Sequence, residues 1–177
     1  MNIGIIDAEL MFLTKHRFPN LASMKISNYY KQNGNQVHLL TDTTELDNLD
    51  KYDKIFISCV FTSTPIVNMT SILSKPNVEY GGTGFYYDKA TPLDFNIEHT
   101  MPDYHLYDEW VDKQLIDKSN KKIDYKFFYD YSIGFITRGC FRHCPFCVNQ
   151  NASNVRSASS LEEFLDTSRK KNMFIGR

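Results

Sequence analysis

The sequence predicts an α/β protein whose first half is an open, mostly parallel sheet, with a second α/β unit starting near Tyr131. Two observations predict it. Short apolar runs fit for buried strands recur at residues 3–6, 37–40, 54–60 and 78–80, and stretches of helical period lie between the first of them. Strands alternating with helical segments return to the same sheet by right-handed crossovers and pair in parallel.

Ile3-Gly4-Ile5-Ile6 forms the first strand and ends at Asp7. Pro19-Asn20 opens a helix, with Pro in the first turn where its missing N–H costs nothing. Ala22, Ile26 and Tyr29 give that helix an apolar face, and Asn33-Gly34 stops it because Gly accepts a left-handed C-cap. Val37-His38-Leu39-Leu40 and residues 54–60 are the second and third strands, residues 65–73 a short helix. Val78-Glu79-Tyr80 is the fourth strand and runs into Gly81-Gly82-Thr83-Gly84. Ligands of such sheets sit beyond the carboxyl ends of the strands, here Asp7, Val60-Phe61 and the glycines. The glycines read as a turn needing positive φ. They are followed by no Lys-Ser/Thr pair, and no dinucleotide fingerprint follows the first strand.

From Thr91 to Asp130 the periodicity fades, and Met101-Pro102-Asp103-Tyr104-His105-Leu106-Tyr107 is dense in aromatic and polar groups. This stretch reads as a connector packed onto a domain by its aromatics, with a short helix over 108–115 holding Trp110 and a solvated charged loop over 118–122. His105 beside Asp103 reads as structural, since nothing nearby supplies a nucleophile or a metal set. Residues 132–137 form a strand leading into Arg138-Gly139-Cys140. Ser160-Leu161-Glu162-Glu163 matches a capping box for a helix with Leu161, Phe164 and Leu165 on its apolar side and Arg169, Lys170 and Lys171 at its end. Asn172-Met173-Phe174-Ile175 starts another strand. The divisions are therefore 1–90, 91–130 and 131–177.

Composition limits the function classes. Twenty Lys and Arg against 21 Asp and Glu give a net charge of −1, which argues against a protein that coats nucleic acid. Thirteen Phe and 11 Tyr supply ample core. No apolar run approaches the ~20 residues of a membrane span and no secretion signal opens the chain, so a soluble cytoplasmic protein is expected. Asn68-Met69-Thr70 and Asn151-Ala152-Ser153 match the glycosylation pattern but carry no weight without such a signal. The 177 residues fall short of the roughly 250 of a complete (β/α)₈ barrel.

Of the four cysteines, Cys59 ends a buried strand and reads as a small core residue. Cys140, Cys144 and Cys147 put three soft donors on one loop straight after a strand, the pattern of an iron–sulfur or zinc site rather than of a disulfide framework. Gly139 can bring backbone close to a metal, Pro145 stiffens the turn, and Phe141 and Phe146 can shield the centre. Three thiolates leave a four-iron cluster one ligand short, and an open coordination position can take an exchangeable ligand. Zinc completed by His143 is the alternative, although a single short-spaced cysteine group is unusual for it and the His143 ring, next to Cys144, tends to point away.

Cys140-x₃-Cys144-x₂-Cys147, with an aromatic before the third Cys and a strand before the first, resembles the cluster loop of radical S-adenosylmethionine enzymes. Arg17-Phe18-Pro19-Asn20, Gly81-Gly82 and Met101-Pro102-Asp103-Tyr104 extend the resemblance to the subgroup with an N-terminal cobalamin-binding-like domain. The resemblance implies a Rossmann-like parallel sheet over 1–90, a linker over 91–130, and over 131–177 the first β/α unit of a partial TIM-type barrel. It implies that Cys140, Cys144 and Cys147 hold a [4Fe–4S] cluster whose fourth iron binds S-adenosylmethionine, and that Phe146 packs beside the adenine. Reductive cleavage to a 5′-deoxyadenosyl radical would then draw on an external donor such as flavodoxin or ferredoxin and act on a substrate the sequence does not identify. Cobalamin is not expected, because Asp7-Ala8-Glu9-Leu10 lacks the Asp-x-His-x-x-Gly motif and His16 lies too far along. The family's partial barrel of about six β/α units needs far more than the 30 residues after Cys147, so the chain reads as a portion that is inactive alone. The competing expectations are a non-catalytic cluster or zinc module serving as an electron carrier or interaction domain, and a truncated product without metal.

Overall fold

Ile3, Ile5 and Ile6 are fully buried, which makes the first strand the centre of the N-terminal sheet. The computed structural model describes residues 1–13, 16–66, 69–152 and 154–175. Strand β1 (Asn2–Asp7) pairs in parallel with β2 (Gln36–Leu40) on one side and β3 (Lys54–Ser58) on the other, and β4 (Val78–Gly81) adds to β3. The order is β2-β1-β3-β4, a Rossmann-like arrangement. Alternation along the strands fills both faces. Ile6, Ile55 and Ile57 pack with Leu40, Leu49, Tyr52, Met69 and Ile72, while Ile3, Ile5 and Phe56 pack with Ile26 and Ile97 on the opposite face.

Helix α1 (Ala8–Phe12) follows β1, with the Asp7 side chain accepting from Leu10 N. Helix α2 (Leu21–Gln32) starts two residues later than Pro19 at its first position would require. Asn20 is its N-cap, its side chain accepting from Ser23 N, and Pro19 precedes the cap. At the other end Asn33 caps and Gly34 takes φ +75°, as the Asn-Gly pair predicts. Of the helix expected over 65–73, α3 occupies Thr70–Leu73. Val67 and Asn68 lie outside the described residues, as does Ser153 of the second glycosylation-pattern triplet. Helix α4 (Thr83–Tyr86) follows the glycines, and a 3₁₀ turn covers Tyr87–Lys89.

Residues 91–130 form three helices: α5 (Phe95–Glu98), α6 (Asp108–Ile116) and α7 (Lys126–Tyr129). Tyr104, Tyr107, Val111, Tyr125 and Phe128 enclose a further core with Leu10 and Met24 of the first sheet's layer. His105 differs from its expected setting. Its ring is exposed and pairs with Asp108 at 2.7 Å, one helical turn along, rather than lying among aromatics.

Strands β5 (Tyr131–Phe135) and β8 (Lys171–Ile175) pair in parallel, and between them β6 (Thr137–Arg138) and β7 (Arg156–Ser157) form a short antiparallel ladder. The helix expected after Ser160 does not form. The capping box is present, but it opens only a 3₁₀ turn, Leu161–Glu163. Phe164 leaves helical geometry at φ −144° to bury its ring against Gly134, where an added Cβ would stand 2.2 Å from the ring. Its carbonyl accepts from Tyr104 Oη at 2.6 Å. Arg169 is no helix terminus either: its guanidinium is buried and donates to the carbonyls of Tyr104, Phe128 and Tyr131. The β5–β8 crossover is therefore built of loop, ladder and 3₁₀ turn.

One buried group ties the first sheet to the connector. Burial raises the Asp7 carboxyl to about 7, against hydrogen bonds from Tyr107 and Leu10 that pull it down. The unfolded value is near 3.8, so the native state holds an extra proton between roughly pH 4 and 7. Stability from the neutral carboxyl is full below that window and is lost as pH rises through it. Urea unfolding should show wild type losing on the order of 3 kcal/mol relative to Asp7→Asn between pH 4.5 and 8. A pH-independent difference would mean that Asp7 is ionised throughout.

Candidate metal centre

The cysteine loop leaves the β5–β6 segment at its carboxyl end and returns through β7, the position where parallel α/β units carry their chemistry. Arg138 ends β6, and Gly139 turns the chain at φ +92°. A Cβ there would stand 2.0 Å from the Asn154 carbonyl oxygen, so the glycine serves the close crossing of the loop's two ends rather than contact with a metal. Within the loop, Cys147 N donates to Cys144 O at 3.0 Å, closing the turn that contains Pro145. His143 holds φ +49°, and its Nδ1 lies 2.8 Å from Gln150 O, which ties the ring to the far end of the loop.

All three thiols are free and half-buried. Backbone N–H groups point at two sulfurs, Arg142 N at Cys140 and Asn149 N at Cys147, each at 3.5 Å. Among the described residues no three Cys, His, Asp or Glu side chains are gathered into a metal-holding group, and His143 is not drawn in with the thiols. The chemistry of the donor set nevertheless fits a cluster. Three thiols share one loop, none is in a disulfide, no carboxylate lies between Gly139 and Ala152, and N–H donors are aimed at sulfur as a thiolate requires. Phe141 and Phe146 do not shield the thiols. The two residues are 71% and 84% exposed, so the loop presents both to solvent.

At the carboxyl edge of the first sheet, the other place where a ligand was expected, Asp7 and one oxygen of Glu9 bond to the protein's own groups, while Glu9 Oε2 is buried without a partner among the described residues. Asp7 accepts from Tyr107 Oη at 2.7 Å. Glu9 Oε1 accepts from Val60 N at 2.9 Å, Phe61 N at 3.1 Å and Thr64 Oγ1 at 2.7 Å. Gly82, at φ +107°, and Gly84 press on Cys59: an added Cβ would stand 2.1 Å from its carbonyl oxygen and 2.2 Å from its sulfur respectively. Positive φ at Gly82 matches the turn reading, and close approach to Cys59 is the second reason for the glycines. Cys59 is fully buried, and burial with Glu9 beside it pushes the thiol up to about 12, so it is an inert core residue. A cleft of about 230 Å³ lined by Leu10, His16, Trp110 and Gln114 lies beyond β1 and β2, and the thiols are not part of its lining. Burial lowers the His16 imidazole there.

Sequence reasoning missed the groups that anchor the loop. Glu98 on α5 accepts from Arg138 Nη2 at 2.8 Å, and Asp88 accepts from Gln150 Nε2 at 3.3 Å and from Asn151. These carboxylates lie 40 and 62 residues before their partners, and no local pattern marks them. Among the described residues no helix is long and apolar enough to cross a membrane. No protein-family model, curated protein or solved structure matches the chain.

Brief alkylation of the native, reduced chain is expected to modify Cys140, Cys144 and Cys147 and to spare Cys59 until denaturant is added, read residue by residue by mass spectrometry. Labelling of Cys59 at the pace of the others would contradict its place in the core.

Proposed function

We propose that Cys140, Cys144 and Cys147 hold a [4Fe–4S] cluster of the radical S-adenosylmethionine kind. The observation that carries the reading is the placement of three unpaired thiols, at spacings of four and three, beyond the carboxyl end of a strand paired in parallel with the next. In the resembled family, cluster and cofactor together supply one-electron cleavage to a 5′-deoxyadenosyl radical. The chain's own part is to present three thiolates from one loop and to hold that loop's ends in fixed register through Gly139 and the β6–β7 ladder. Phe146, adjoining the third thiol and exposed, is available to pack on an adenine ring. The chemistry calls for an external one-electron donor of the flavodoxin or ferredoxin kind.

Anaerobic reconstitution with iron and sulfide, followed by reduction and EPR spectroscopy with and without S-adenosylmethionine, tests the proposal. The expected result is a cluster signal that changes when the cofactor is added, with iron lost in Cys144→Ala and kept in Cys59→Ala. Zinc with no iron uptake would sink the proposal, and a cluster indifferent to the cofactor would make the loop an electron carrier.

A further inference from the structure

We propose that Glu98 and Asp88, carboxylates from the first half of the chain, are positioning residues that clamp the two ends of the cysteine loop and so set the spread of its three thiols. The front clamp is a shared carboxylate. Glu98 Oε1 lies 2.8 Å from Arg138 Nη2 and 3.1 Å from Lys25 Nζ, and Lys25 also donates to the Glu98 carbonyl. The Lys25 and Glu98 side chains are 4% and 19% exposed, so both charges depend on each other rather than on water. Lys25 belongs to α2 and Glu98 to α5, so the anchor is fixed by the N-terminal layer. The Arg138 guanidinium is also seated 4.5 Å over the Phe135 ring, which leaves that side chain little freedom at the root of Cys140. One residue beyond Glu98, His99 Nδ1 meets Glu163 Oε2 at 2.8 Å, joining α5 to the turn after the loop.

The rear clamp reaches further into the loop. Asp88 Oδ2 accepts from Gln150 and Asn151, and the Gln150 carbonyl is in turn 2.8 Å from His143 Nδ1, between the first two thiols. Asp88 is presented by Tyr87 at φ +50°, a backbone region that a bulky L-residue rarely adopts, so the surrounding structure holds this turn in place. Both clamps act across the boundary between the N-terminal layer and the thiol loop. A cluster held by the loop would therefore respond to changes in residues that never touch it.

The clamp is tested first in the metal-free chain, by residue-resolved iodoacetamide rates under native conditions. Glu98→Gln is expected to speed Cys140 about fivefold or more, with a smaller effect on Cys147. Asp88→Ala is expected to act in the opposite order. The double variant Glu98→Gln/Arg138→Met should be no faster at Cys140 than either single variant, because both break one contact. Lys31→Met is the control: it removes the ion pair of α2 to Asp103 yet leaves the Lys25–Glu98–Arg138 contacts, and Cys140 should react at the wild-type rate. Equal acceleration of all three thiols, or acceleration by Lys31→Met as large as by Glu98→Gln, would overturn the clamp. Its consequence for a cluster rests on the reading above and is scored separately, as iron retained against a chelator in Glu98→Gln and wild type. If wild type takes up no iron, that reading fails while the thiol rates still decide the clamp. If wild type holds iron and the rates do not move, the clamp fails alone.

Discussion

Two buried tyrosine hydroxyls hold the architecture together. A phenol removed from water must find hydrogen-bond partners, and this need fixes where its segment can lie. Tyr107 Oη donates to Asp7 at 2.7 Å and accepts from Asn20 N at 3.1 Å, which joins the end of β1 to the start of α2. Three residues earlier, Tyr104 Oη donates to Phe164 O at 2.6 Å and accepts from Ile133 N at 2.9 Å, reaching the second unit. Between and beside them, Asp103 accepts from Ser27 at 2.6 Å and from Lys31 at 2.7 Å. The Arg169 guanidinium lies 4.4 Å over the Tyr104 ring. Residues 103–107 thus touch both sheets, and the order of contacts along five residues sets the order of the layers.

That joint explains why some elements could be read from the sequence and others could not. Strands β1 and β3 are short apolar runs buried on both faces, a pattern that depends on few other residues, while β2 and β4 flank them at the more exposed edges. The Asn33-Gly34 stop is equally local, because the left-handed turn is a property of the glycine itself. The helix expected after Ser160 failed for a non-local reason. Its capping box forms, but Phe164 gains more by burying its ring on Gly134 and giving its carbonyl to Tyr104, 60 residues away, than by continuing the turn. Helix α5 is too short to show a period; Asp94 caps it, accepting from Asn96 N, and Ile97 packs it into the core. Pro19 lies two positions earlier relative to the helix start than expected, since the Asn20 side chain is the stronger start signal.

The site divides in the same way. The three thiols were visible because donor spacing on one loop is a local property of the sequence. The role of Gly139 was half visible: positive φ follows from the residue, but its contact is the Asn154 carbonyl at the loop's other end. The exposure of Phe141 and Phe146 was not visible, because spacing does not say which way a ring turns. The carboxylates at Glu98 and Asp88 were out of reach of any local reading, since only the folded chain brings them to the loop. The first layer supports the thiol loop through the contacts of Glu98 and Asp88.

In the proposed site, three thiolates on one loop hold a cluster with one iron left open to S-adenosylmethionine. Mössbauer spectroscopy of the chain reconstituted with ⁵⁷Fe measures this most directly, because it resolves the irons of a cluster by their coordination. A [4Fe–4S] spectrum is expected in which one iron, and only one, changes to a higher coordination number when the cofactor is added. Four irons that all keep their parameters, or a chain that binds no ⁵⁷Fe, would contradict it.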